Sequence, residues 1–190
     1  MALLITVLEL EREPLEFSET VPPGAIDYGS GIRQIDEMPV SGRADLITEH
    51  RGGHDQIHDI RLRAGYQGNF EMPCARCLDP VAHRLEEHFD LLFRPTGVDA
   101  DLSEHAISTS DTEIGYYEGG RLALDDVLRE QVLLSLPARA LCQEDCKGLC
   151  PRCGLNRNTE VCGCDATQTD ARWTALADLR SRMKNAERNL

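Results

Sequence analysis

Gln56-Ile57-His58-Asp59-Ile60-Arg61-Leu62-Arg63-Ala64-Gly65-Tyr66-Gln67-Gly68-Asn69-Phe70 decides the class of this fold. Polar and apolar residues alternate along it with period two, the pattern of a strand with one buried face. The alternation is imperfect. His58, Ile60, Leu62 and Ala64 share one face, and Ile57, Asp59, Arg61 and Arg63 the other. Interrupted period-two patterning also marks residues 40–48 and 81–93. Arg51-Gly52-Gly53-His54 reads as the turn of a long hairpin, and residues 73–80 join the next two strands. At the N-terminus Leu3, Ile5 and Val7 suit one face of a first strand.

Outward from these strands the character changes. Residues 96–120 are polar and acidic and read as a loop, with a short strand at Ile114-Gly115-Tyr116-Tyr117 and a turn at Gly119-Gly120. Over 122–136 the residues Leu124, Val127, Leu128, Val132 and Leu136 form an apolar stripe at helical spacing, a core-packing face. Asp125 and Asp126 favour the positive end of that helix, and Pro137 stops it. Residues 138–165 hold six cysteines and little apolar mass, so a metal must fold them. A last helix is expected over 170–186, with Asp170 as cap and Trp173, Leu176, Leu179 and Met183 on one face. The expected architecture is α+β: an N-terminal, mostly antiparallel β domain, one core helix, a cysteine-rich zinc-binding segment and a C-terminal helix. The expected domains are 1–137, with helix 122–136 packed on the strands, and 138–190.

The chain of 190 residues contains no run of 18 apolar residues that would span a membrane. The first ten residues lack a basic leader and a small-residue cleavage site, which favours a cytoplasmic protein over an exported one. Net charge is −13. Residues 1–120 hold 9 basic and 23 acidic side chains, whereas residues 121–190 hold 11 and 10. So acidic a body opposes non-specific binding to nucleic acid and suits a basic protein partner.

The eight cysteines are Cys74, Cys77, Cys142, Cys146, Cys150, Cys153, Cys162 and Cys164. In a reducing compartment such clusters are metal ligands rather than disulfides. Cys150-Pro151-Arg152-Cys153-Gly154 is a C-x2-C knuckle, and its glycine can take the positive φ that turns main-chain amides toward sulfur. With Cys162-Gly163-Cys164 it makes one local four-thiolate zinc site. Cys74-Ala75-Arg76-Cys77 and the C-x3-C pair Cys142 and Cys146 would form a second, long-range site. Two other arrangements compete: Cys142, Cys146, Cys150 and Cys153 as one site, or Cys74 and Cys77 as a redox pair. Each four-thiolate zinc site adds negative charge. Nearby Arg76, Arg139, Lys147, Arg152 and Arg157 can offset it, or contact RNA.

Nothing in the chain points to catalysis. His54 and His58 are four apart but lie in turn and strand, and His50, His83, His88 and His105 form no ligand pattern. G-x-S-x-G, the phosphate-binding loop, H-E-x-x-H and the dinucleotide fingerprint are all missing. No small-molecule substrate is expected.

The order of motifs resembles the YceD family. The resemblance rests on Glu130-Gln131 through Leu136-Pro137, on Leu141-Cys142-Gln143-Glu144-Asp145-Cys146-Lys147-Gly148-Leu149-Cys150-Pro151-Arg152-Cys153-Gly154, on Asn156-Arg157-Asn158 and on Cys162-Gly163-Cys164. Cys74-Ala75-Arg76-Cys77-Leu78 matches the earlier family motif, and Asp170 to Leu176 sits where the family has its final helix. The resemblance covers residues 70–180 and implies a role in accumulation or processing of large-subunit ribosomal RNA, with no catalytic activity. Bacterial genes of the family commonly neighbour that of a small large-subunit protein, and plastid relatives exist. The implied partners are a ribosomal protein or pre-ribosomal large-subunit RNA, with RNA contact expected at Arg139, Lys147, Arg152 and Arg157. The competing functions are a thiol redox or zinc-sensing protein using Cys74 and Cys77, and a zinc-ribbon nucleic-acid-binding protein.

Overall fold

The computed structural model describes residues 4–29, 31–50, 56–98 and 114–164, with Leu176, Leu179 and Arg180. The chain divides into two compact units, Met1–Cys146 and Lys147–Leu190.

In the first unit the period-two segments form the body of one sheet. They are β4 (Met38–His50), β5 (Gln56–Pro73) and β6 (Pro80–Pro95), paired in sequence as antiparallel neighbours. β2 (Leu15–Val21) borders β4, and the short β3 (Arg33–Gln34) pairs with the far end of β5. β7 (Ile114–Tyr117) adds to β6 in parallel. A separate two-stranded sheet joins β1 (Leu4–Thr6) to β8 (Arg121–Ala123). The class is therefore α+β and mostly antiparallel, as the patterning predicts.

Ile60, Leu62, Ala64, Tyr66 and Phe70 point from β5 into the core, where they join Met38, Val40 and Ala44 of β4 and Leu85 and Phe93 of β6. The helix α2 (Leu124–Ser135) presents Leu124, Val127, Leu128 and Val132 to the same core, and Tyr66 Oη donates to Ser135 Oγ at 3.1 Å. On the other face Arg61 pairs with Asp90 through two hydrogen bonds, and Arg43 and Arg63 both reach Asp45.

Two boundaries depart from the sequence reading. The predicted first strand ends at Thr6, and Val7–Leu10 is a short helix, α1. Thr6 Oγ1 accepts from the Glu9 N–H at 3.3 Å and donates to the Glu9 carboxylate at 2.7 Å, so the T-x-x-E segment caps a helix instead of extending a strand. Leu3 lies outside the described residues. The helix predicted over 122–136 begins at Leu124, because Arg121 to Ala123 pair with β1. Leu122 is buried from that strand, opposite Ile5.

The imperfect alternation of β5 also has a cause. Asp59 is 3% exposed although it lies on the polar face. Arg94 donates to both of its carboxylate oxygens, at 3.1 and 2.8 Å, and also to Glu49. The buried acid is thus charge-paired, as a buried carboxylate must be.

The predicted turn at Arg51 to His54 and most of the predicted loop 96–120 lie outside the described residues. So does the predicted helix 170–186, except Leu176, Leu179 and Arg180, which are helical. Among the described residues no helix is long and apolar enough to cross a membrane.

The helix offers a direct check of the packing. Leu128 is 0% exposed and Leu134 is 71% exposed. Leu128→Ala is expected to cost about 2–5 kcal/mol of unfolding free energy. Leu134→Ala should stay within about 0.5 kcal/mol. Urea unfolding of the two variants measures both, and equal losses would contradict the assigned buried face.

Candidate metal centres

The hairpin of β5 and β6 narrows to the facing pair Pro73 and Pro80, and its tip carries Cys74 and Cys77. The tip is closed by main-chain bonds from Cys74 N–H to the Asp79 carbonyl at 2.8 Å and from Leu78 N–H to the Cys74 carbonyl at 3.0 Å. Closure needs a left-handed residue, and Leu78 supplies it at φ 64°, a conformation that L residues rarely adopt. Cys142 and Cys146 come from the segment that follows α2. The Ala75 N–H donates to the Ala140 carbonyl at 2.8 Å, and the Cys142 N–H reaches Cys74 Sγ at 3.4 Å.

The result is a four-thiol cluster of Cys74, Cys77, Cys142 and Cys146, with all four sulfurs within 4.8 Å of one another. Cys74 Sγ lies 3.8 Å from Cys146 Sγ, and Cys77 Sγ lies 3.5 Å from Cys142 Sγ. Four sulfurs tetrahedrally bound at ~2.3 Å would be spaced by about 3.8 Å. A disulfide would bring a pair to about 2.05 Å. The donor set therefore fits a tetrahedral, thiophilic metal ion. Cys74, Cys77 and Cys146 are buried, whereas Cys142 is exposed.

The second cluster lies wholly within the second unit: Cys150, Cys153, Cys162 and Cys164, with sulfurs again within 4.8 Å of one another. Its scaffold is a small hairpin. Leu149 bridges Asn156, the Arg157 N–H donates to the Gly148 carbonyl at 3.0 Å, and the Cys150 N–H donates to the Leu155 carbonyl at 2.8 Å. Gly154 sits at φ +74°, and its N–H donates to the Cys150 carbonyl at 2.9 Å. Two asparagines hold the base. Asn158 Oδ1 accepts from the Lys147 N–H at 2.8 Å, and Asn156 Oδ1 accepts from the Asn158 N–H at 3.0 Å. Among the described residues of this unit only Gly148 and Cys150 are buried, so no apolar core supports it.

Both knuckles prepare one sulfur as a thiolate. The Cys77 N–H chiefly, with those of Arg76 and Cys142, pulls the Cys74 thiol down to about 6 against the opposing effect of burial. The Cys153 and Arg152 N–H groups likewise bring Cys150 to about 6. Burial pushes the Cys77 thiol up. The Cys153 sulfur and burial push Cys164 up to about 12. These opposed directions belong to thiols sharing protons within a cluster. A bound divalent ion would remove the conflict, because coordinating sulfurs are held as thiolates.

The cysteines divide into the two sets that the sequence favours, and the competing set of Cys142, Cys146, Cys150 and Cys153 is split between clusters. Arg139, Lys147, Arg152 and Arg157 are exposed, and none makes an ion pair among the described residues. Spacing arguments missed Asp79, whose carboxylate accepts from the Cys77 thiol at 3.3 Å, and the two turn-holding asparagines. Asn-x-Asn after a knuckle was the available signal, since Asn side chains close turns on nearby main chain.

The model of the family described as large ribosomal RNA subunit accumulation protein YceD matches residues 62–180. The chloroplastic large ribosomal RNA subunit accumulation protein YCED homolog 1 of Arabidopsis thaliana is 35% identical over 173 residues, covering 80% of this chain and 52% of that protein. An uncharacterised protein of Mycobacterium tuberculosis is 33% identical over 106 residues, covering 56% of this chain and 48% of that protein. The chain spans about half the length of the curated relatives it matches. No solved structure matches it.

The two clusters should respond differently to the loss of a ligand. Cys150→Ser is expected to speed amide exchange mainly over residues 147–164. Cys74→Ser should speed it over residues 138–146 and at the hairpin tip. Hydrogen exchange followed by mass spectrometry reads both, and the same pattern in both variants would show that the clusters do not act separately.

Proposed function

The chain belongs to the YceD family, and from that premise we propose that it is a non-catalytic ribosome-biogenesis factor. It supports accumulation or processing of large-subunit ribosomal RNA in the cytoplasm and holds one structural zinc ion in each four-cysteine cluster. The observation that carries this reading is that all eight clustered cysteines lie within the region matched by the family model. Zinc suits the donor set, because four thiolates at tetrahedral spacing are its preferred structural coordination. Four protein ligands also leave no open position for water or substrate, which favours a structural over a catalytic ion. When bound, the ion supplies cross-linking and charge. Cys74, Cys77, Cys142 and Cys146 would hold one, and Cys150, Cys153, Cys162 and Cys164 the other.

Burial speaks against a redox role for Cys74 and Cys77. They are 0% and 3% exposed, and thiol exchange requires access. The acidic body supports a basic ribosomal protein as the direct partner, through steered association. A cleft of about 420 Å³ suits such a surface, where Glu118, Asp126 and Glu130 outnumber Arg121 beside the buried Phe93, Leu122 and Val127. Any RNA contact belongs to the exposed cations Arg139, Lys147, Arg152 and Arg157.

Protein purified without chelator is expected to contain two zinc ions per chain by elemental analysis. One equivalent would remove one of the structural sites, and none would remove both. Cells depleted of the protein should lose large-subunit relative to small-subunit ribosomal RNA, and the Cys150→Ser chain should restore less than the wild type. An unchanged ratio on depletion would sink the ribosomal reading. Joint replacement by Glu118→Gln, Asp126→Asn and Glu130→Gln should slow association with a basic ribosomal protein about tenfold at low salt and little at high salt. Tight binding to naked ribosomal RNA at physiological salt, with no affinity for any ribosomal protein, would overturn the choice of partner.

A further inference from the structure

Arg76 stands between the two cysteines of the hairpin tip, where the sequence suggests a cation placed to offset thiolate charge. Its side chain does something more specific. Nη1 donates to the Cys146 carbonyl at 2.9 Å and to the Glu144 carbonyl at 3.3 Å. Both carbonyls belong to the segment that brings Cys142 and Cys146 to the tip. Among the described residues Arg76 has no carboxylate partner. Its main-chain N–H separately reaches Cys74 Sγ at 3.5 Å. One residue thus touches both halves of the first cluster: the main chain holds a tip sulfur, and the guanidinium holds the incoming segment.

We propose that Arg76 is a positioning residue of the first metal centre, whose guanidinium latches the main chain around Cys146 so that the incoming thiols are held opposite Cys74 and Cys77 before a metal ion arrives.

The other direct ties of this segment to the tip explain why a latch matters. Among the described residues they include the Ala75 to Ala140 main-chain bond, the Cys142 N–H to Cys74 Sγ, and the sulfurs themselves. The sulfur contacts hold the segment strongly only with a metal ion between them. Without it, the hold rests more on hydrogen bonds such as Ala75 N–H to the Ala140 carbonyl, Cys142 N–H to Cys74 Sγ, and those of the Arg76 guanidinium. Nη1 directs its two N–H bonds in the guanidinium plane and so reaches both carbonyls in a fixed geometry, whereas a lysine ammonium is a flexible point charge. Groups that orient metal ligands from outside the coordination sphere typically change metal affinity by about 10–100-fold when removed. Arg76 is exposed at a hairpin tip, so its side chain can be changed without opening the core. Every substitution there except proline keeps the N–H to Cys74, which isolates the part played by the guanidinium.

The inference rests on the proposal that the first cluster takes a metal ion. The test is cobalt(II) and zinc titration of the full chain against a competing chelator, in wild type, Arg76→Lys and Arg76→Gln. Both variants are expected to lose about 10–100-fold in affinity at the first centre. The second centre should be unchanged in the same titration and serves as an internal control. The cobalt absorption assigned to the first centre should shift in both variants, and metal-free Arg76→Lys should exchange amides of residues 140–146 faster than metal-free wild type. Affinity restored by lysine but not by glutamine would reduce Arg76 to a compensating charge and overturn the latch. Unchanged affinity and exchange in both variants would overturn it as well. A wild-type chain that binds a single equivalent, at the second centre, overturns the metal reading of the first cluster and the latch together. An intact first centre with unaffected variants overturns the latch alone.

Discussion

The fourteen-pair ladder between β5 and β6, from Ile60 opposite Phe93 to Pro73 opposite Pro80, is the constraint on which the first unit depends. Its register is fixed because a slip of one residue would turn Leu62, Tyr66 and Phe70 out of the core and the arginines in. The same register sets where the hairpin ends, and hence where Cys74 and Cys77 emerge. β4 pairs along the other edge of β5, and α2 lies over the buried face. Burial by apolar side chains thus does the positioning, and the thiols ride on it.

With the proposed metal ions bound, the two clusters would serve different physical ends. In the first, the linked sulfurs are 65 and 72 residues apart in sequence. A cross-link closing so long a loop removes on the order of 4 kcal/mol of unfolded-chain entropy in the disulfide model. That contribution adds to a sheet that already buries its own core. In the second unit the described residues have no core to add to, so the proposed coordination, with the hairpin hydrogen bonds, would supply most of what holds it. On that proposal, loss of metal would be a loss of docking in one case and of folding in the other.

The central strands were legible because each has one buried and one exposed face. Predicted segments 40–48, 56–70 and 81–93 lie inside β4, β5 and β6. The edge elements were not legible for the converse reason. β2 alternates through Leu15, Phe17 and Val21, but Glu19 interrupts the pattern and only Phe17 is fully buried, and β3 is two residues long. The start of α2 was obscured because Leu122 is apolar whether it packs from a helix or from a strand. Cysteine spacing suggested the two four-thiol groups that the structure brings together, since a C-x2-C knuckle closes locally. It could not force Cys142 and Cys146 onto the β5–β6 tip, which requires the ladder to be known. The contacts of Arg76 were out of reach, because the carbonyls it holds are common to every residue and leave no mark in the sequence.

An acidic chain that gathers eight thiols must stabilise negative charge where its own charge opposes it. Both knuckles do so mainly with main-chain N–H groups. Those of Arg76, Cys77 and Cys142 are directed at Cys74, and those of Arg152 and Cys153 at Cys150. Amide dipoles fixed by the turn act without side-chain entropy loss, and they act whatever the side chain is. Arg152 therefore serves Cys150 through its main chain while its guanidinium stays exposed, and Lys147 and Arg157 have exposed side chains as well. These cations are not consumed in neutralising sulfur, so the second unit presents positive charge outward beside a cluster of negative sulfurs. The first unit keeps its acidic excess, and the arginine at its own cluster faces carbonyls rather than solvent anions. The proposed division of labour, with protein met by the exposed carboxylates and any RNA by the exposed cations Arg139, Lys147, Arg152 and Arg157, follows from where the chain leaves its charges free.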